Sequence, residues 1–90
     1  MNKKINIKKY LDIIAEPNRL AILGFLKEGE KCACDIHPKL EIPQNLASHH
    51  LKVLKDFNLL KSRRNGTKIL YSRYEEVIKN YQLELTKIII

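Results

Sequence analysis

Residues 43–73 constrain the fold more than any other part of the chain. They begin Pro-Gln-Asn-Leu-Ala-Ser-His-His-Leu-Lys-Val-Leu and end in a basic segment around Asn65-Gly66. In the first half, Leu46, Leu51, Leu54 and Phe57 recur at helical spacing, with Ala47 and His50 beside them. Gln44, Asn45, Ser48, His49 and Lys52 fall on the opposite, polar face. In the second half, residues 59–64 and 67–72 read as two strands joined through Asn65-Gly66, a dipeptide suited to a type I′ turn. Lys61, Arg63, Arg64 and Lys68 make this hairpin cationic. A helix with short hydrogen-bonding side chains on its free face fits a DNA major groove. A basic hairpin beside it fits phosphates.

The rest of the chain frames that unit. Residues 5–14 suggest a short amphipathic helix, with Ile7, Leu11 and Ile14 on one side and Lys3, Lys4, Lys8 and Lys9 largely elsewhere. Glu16-Pro17 opens a second helix, because Pro is tolerated in a first turn. Leu20, Ile22, Leu23 and Leu26 form its core face, and Gly29 ends it. Residues 32–40 are expected to form another short helix, with Asp35 in its first turn and Pro38 limiting it. From residue 74 a last helix carries Val77, Ile78, Tyr81, Leu85 and Ile88 on its apolar side. The order is four helices, a β-hairpin and a fifth helix. The expected fold class is mainly α with a β-hairpin wing (α+β), a winged helix-turn-helix spanning 1–90 as one domain. The terminal helices have more apolar surface than so small a domain needs. Leu11, Ile14, Tyr81, Leu85 and Ile88 are therefore assigned to a homodimer interface; the alternative is a last helix folded back on its own core.

Ninety residues form a modest core, which favours support from a second subunit. The hydrophobic fraction of 44% argues against a disordered chain. A formal charge of +7 favours a polyanionic partner, and its concentration around the hairpin favours nucleic acid over a merely solvated surface. No apolar run is long enough to cross a bilayer. The first residues lack the apolar stretch of a secretory signal, so a cytoplasmic location and two reduced thiols, Cys32 and Cys34, are expected.

Three segments together resemble the ArsR/SmtB family of metal-responsive repressors. Ala15-Glu16-Pro17-Asn18-Arg19-Leu20-Ala21-Ile22-Leu23 is similar to that family's Ala-Asp-Pro-Thr-Arg-Leu-x-Ile-Leu helix opening. Gly29-Glu30-Lys31-Cys32-Ala33-Cys34-Asp35-Ile36 resembles the metal box, usually Glu-Leu-Cys-Val-Cys-Asp-Leu. The segment from Gln44 to Leu54 looks like the recognition helix, with its Ser-x-His-Leu core at Ser48, His50 and Leu51. The resemblance covers residues 11–74. It implies a dimer that binds operator DNA without metal and releases it when metal binds.

Cys32-Ala33-Cys34 is the chemically pointed constellation. Two thiolates suit a soft ion. Within a regular helix, residues two apart point roughly 200° from each other. Chelation therefore requires a helix start that is irregular already or that distorts, and a distortion there could reach the adjoining recognition helix. A bridge between the two sulfurs is expected to be strained. The family's arsenic sensors often add a third thiol shortly after the pair; this chain has His37 there. The ion set stays open: As(III) or Sb(III) on two thiolates, or Zn, Cd or Cu(I) through Cys32, Cys34 and His37 with a further ligand from elsewhere. The bland alternative is a buried structural pair, and a redox-active pair is a third option. No cofactor is obligatory on any of these readings. His49 and His50 project apart on a helix and do not chelate together; His49 is assigned to the DNA face and His50 to packing. The family's carboxylate-and-His site on the last helix is missing, since residues 74–90 contain no His.

The candidate DNA-binding residues are thus Gln44, Asn45, Ser48, His49, Lys52, Arg63, Arg64 and Lys68. An enzyme is disfavoured, because no Ser-His-Asp spacing, phosphate-binding Gly loop or paired-carboxylate site stands out. A winged helix that binds only proteins would be expected to carry a neutral or apolar wing. A regulator without metal input, its cysteines structural or redox-active, is the main alternative.

Overall fold

The computed structural model describes residues 5–90. The expected positions of Lys3 and Lys4 lie outside the described residues. The elements are α1 (Ile7–Ile14), α2 (Pro17–Leu26), β1 (Lys31–Cys32), α3 (Ala33–Lys39), α4 (Gln44–Asp56), β2 (Leu60–Asn65), β3 (Lys68–Arg73) and α5 (Glu75–Ile89).

Local chemistry sets the helix starts. The Asn6 side chain accepts the Lys9 N–H at 3.0 Å and caps α1. Glu16 does the same for α2, accepting from Arg19 N–H at 3.0 Å, with Pro17 pre-set for the first turn. The two helices of the helix-turn-helix share one ending. After α3, Glu41 is left-handed at φ 55°, and the Ile42 N–H reaches back to the His37 carbonyl at 2.9 Å. After α4, Asn58 takes φ 63°, and the Leu59 N–H reaches the Leu54 carbonyl at 2.9 Å. Both are Schellman stops made without glycine.

Ile22, Ile36, Leu51, Leu54, Leu59 and Leu60 are fully buried and draw on α2, α3, α4 and β2. Each such side chain contributes about 1.5–3 kcal/mol of apolar burial. They seat α4 on the body of the domain by its Ala47–His50–Leu51–Leu54 face.

Several sequence expectations are corrected. Leu11, Leu20 and Leu46 are exposed; α1 turns Tyr10 and Ile13 inward, while Ile22, Leu23 and Leu26 of α2 are buried as expected. The sheet has a third strand that the sequence did not suggest: β1 pairs antiparallel with β3, giving the order β1-β3-β2. Each hairpin strand is displaced by one residue towards the C-terminus. Asn65 faces Lys68, so the turn residues are Gly66 and Thr67. Only Gly66 has positive φ, 65°, which fits a type II′ turn and not type I′. Tyr81, expected at a dimer interface, is buried within the domain, while Ile88 is exposed. No helix among the described residues is long and apolar enough to cross a membrane.

Candidate nucleic-acid interface and cysteine site

Helix α4 presents Gln44, Asn45, Ser48, His49 and Lys52 to solvent, all five exposed as expected. Pro43 makes no side-chain cap hydrogen bond to the first turn of α4. Lys52 is tied to Asp56 one turn later at 2.8 Å. That pair holds the Lys52 ammonium above its usual range, through the hydrogen bond first and the charge second.

His50 is on the inner side. Its Nε2 lies 3.7 Å from Glu16 Oε1, and its buried Nδ1 has no hydrogen-bond partner among the described residues. Burial pushes this imidazole below the ordinary histidine value; the Arg19 and His49 charges act in the same direction, and Glu16 opposes them. Burial raises the Glu16 carboxyl. Hydrogen bonds from the Arg19 and Asn18 backbone and the nearby His50 and Arg19 charges outweigh it, and leave Glu16 below the usual carboxylate range. The cap of α2 is therefore also the electrostatic neighbour of the recognition helix. Glu16 stands 34 residues before His50, too far for any periodicity to connect them.

On the hairpin, consecutive strand residues project to opposite faces. Arg63 and Arg64 accordingly do different things. Arg63 donates from Nε and Nη2 to the two carboxylate oxygens of Glu30, both at 2.8 Å. That forked pair raises the Arg63 guanidinium and lowers the Glu30 carboxyl from their usual values. Arg64 and Lys68 are exposed near the tip. Lys61 stands 5.5 Å from the centre of the Tyr74 ring.

Cys32 and Cys34 lie at the junction of β1 and α3. Cys32 has extended geometry, φ −72° and ψ 145°, and caps α3; Cys34 is the second residue of the helix. The pair therefore straddles a helix start, and the opposed directions expected within a regular helix do not arise. Their Cα atoms are 5.1 Å apart and the sulfurs are joined as a disulfide, where two separate thiols were expected. Cys32 Sγ also accepts the Cys34 N–H at 3.1 Å. A hollow of about 400 Å³ beside the pair is shared with His37, with Gln44, Ala47, Ser48 and Leu51 of α4, and with residues 67–69 of the wing. The dithiol form of this pair fits a soft ion in donor chemistry. Among the described residues no cluster of three His, Cys, Asp or Glu side chains is assembled.

A helical core, a helix with a polar outer face and a cationic hairpin define the fold as a winged helix-turn-helix. The sequence pattern described as "Bacterial regulatory protein, arsR family" matches residues 16–62. The chain belongs to that family. It is 40% identical to the arsenical resistance operon repressor of Staphylococcus xylosus over 76% of this chain and 65% of that one. It is 29% identical to the transcriptional repressor SmtB homolog of Synechocystis over 86% of this chain and 58% of that one. It thus spans less than two thirds of the length of both relatives. A solution structure described as a homodimeric winged helix-turn-helix DNA-binding domain from Mycobacterium bovis, a possible ArsR-family regulator, superposes with a TM-score of 0.75. That match has 25% identity and covers 98% of this chain and 90% of that one.

Proposed function

We propose that the protein is a homodimeric, cytoplasmic transcriptional repressor, released from operator DNA by a thiophilic metal or metalloid ion held at Cys32 and Cys34. The observation that carries this is the place of the cysteine pair. It shares one hollow with Gln44 and Ser48 of α4 and with Thr67 and Lys68 of the wing, so a group entering it touches both DNA-facing elements. Gln44, Asn45, Ser48 and His49 read base edges, while Lys52, Arg64 and Lys68 meet phosphate; Arg63, also expected there, is paired with Glu30. The ion is As(III) or Sb(III) on two thiolates, or Zn, Cd or Cu(I) with His37 and a ligand from outside this set. The name of the Staphylococcus xylosus relative, an arsenical resistance operon repressor, supports the first of these.

Thiolate is the binding form, so ion affinity should rise with pH through the thiol range. The test is anaerobic titration of the reduced protein on operator DNA. Cys32→Ser and Cys34→Ser should each retain DNA binding and lose release by the ion. His37→Ala should weaken a zinc-like ion markedly and leave trivalent arsenic nearly unaffected. If the double Cys variant is released by the same ions at the same concentrations, the proposal fails. The disulfide between the two cysteines favours a second reading, a redox-responsive regulator. There, a thiol reductant alone should change operator affinity with no ion present.

A further inference from the structure

We propose that Glu30 is a wing-positioning residue that keeps Arg63 off the DNA. On this view Arg63 stays paired with Glu30 in the DNA-bound protein and braces the hairpin against β1, while Arg64 and Lys68 supply the wing's phosphate contacts. The inference rests on the wing meeting phosphate.

The geometry carries it. Arg63 spends two donors of its fork on both oxygens of one carboxylate, at 2.8 Å each. This parallel arrangement is the strongest form of the pair, and lysine does not reproduce it. The register places the pair across the whole sheet: Cys32 faces Leu70 on β3, and Leu70 faces Arg63 on β2. Side chains directly opposed across a sheet share a face. Glu30 immediately precedes β1, two residues before Cys32. Arg63 therefore reaches over β3 and fastens the outer strand of the hairpin to the segment that carries the cysteines. β1 itself contributes only two residues to the sheet, a weak attachment without such a brace. Arg64, on the opposite face, pairs with no carboxylate among the described residues.

Counterion release distinguishes a braced arginine from a phosphate-bound one. Each phosphate neutralised contributes about 0.9 to the slope of log K against log salt on duplex DNA. Arg64→Ala and Lys68→Ala should each flatten the slope by about 0.9 per wing, or about twice that for a dimer. Arg63→Ala should leave it nearly unchanged. Glu30→Gln should free Arg63 for phosphate and steepen the slope by about 0.9 per wing. In the Arg63→Ala background the same Glu30→Gln change should have no effect on the slope. Melting curves of each variant establish that the fold is kept, and exchanging the two residues, Glu30→Arg with Arg63→Glu, should restore the parental slope if either single change disturbs it. If Arg63→Ala flattens the slope as Arg64→Ala does, Arg63 leaves Glu30 for phosphate and the proposal is overturned. If Glu30→Gln acts equally with and without Arg63, its effect is general charge removal and the proposal is overturned. If neither Arg64→Ala nor Lys68→Ala alters the slope, the wing assignment falls, and the proposal falls with it.

Discussion

Tyr10 stacks on Tyr81 with ring centroids 4.5 Å apart and planes 4° from parallel, joining the first helix of the domain to the last. Phe57, at the end of α4, adds a third ring 5.4 Å from Tyr81. The terminal helices are thus part of the core and not appendages to it. Tyr81→Ala should cost about 3–5 kcal/mol, the usual loss for truncating a buried aromatic. Urea unfolding monitored by circular dichroism measures it. A double-mutant cycle with Tyr10→Ala should return a coupling of about 0.5–1.5 kcal/mol; additive losses would show that the stack contributes no more than its buried area.

The apolar surface left on α5 should be covered by a second copy. Leu83 is 50% exposed and Ile88 69%, on a helix whose inner side is already occupied by Ile78 and Tyr81. Leu83→Glu combined with Ile88→Glu should leave the fold intact, yield a monomer in sedimentation and lose tight operator binding. Leu85 is a poorer probe, since it packs partly against the core. A monomeric parent protein at micromolar concentration would contradict the dimer.

Acid should destabilise the domain through His50. Its folded-state value lies below the ordinary 6.5, so the unfolded chain takes up a proton first as pH falls. The stability this histidine contributes is complete above that ordinary value and is lost progressively below it. The melting temperature should therefore fall between about pH 7 and about pH 5, ahead of any carboxylate effect. His50→Gln should flatten that interval. An unchanged pH profile in the variant would remove His50 as the source.

Gln44 should read one base pair in each half-site. Gln44→Ala should cost about 1–3 kcal/mol of discrimination at that position and little elsewhere. Selection from a random DNA pool gives the measurement; an unaltered consensus would exclude Gln44 as a reader.

The sequence carried α4 well, because a 13-residue amphipathic helix is a strong local signal, and it carried the existence of the hairpin but not its turn residues or strand bounds. It failed where burial depends on partners. Leu20 and Leu46 are apolar and helically spaced, yet each lies on the rim of its stripe and faces out. β1 is two residues long and exists only because β3 offers an edge, which no local pattern announces. The turn went to Gly66-Thr67 because the strands paired one residue further on, placing Asn65 in the ladder. The polar face of α4 was legible from period alone. The Glu16–His50 and Glu30–Arg63 contacts were not, since both join residues more than thirty positions apart.

Cys32 Sγ holds the amide of Cys34, and that bond has a practical consequence. The first turn of α3 takes part of its order from the sulfur to which the proposed ion would bind. Any chemistry at this sulfur alters the acceptor for one backbone proton. The Cys34 amide is thereby a reporter placed by nature inside the site. Its chemical shift and exchange rate register the state of the pair directly, before any change in DNA affinity has to be measured.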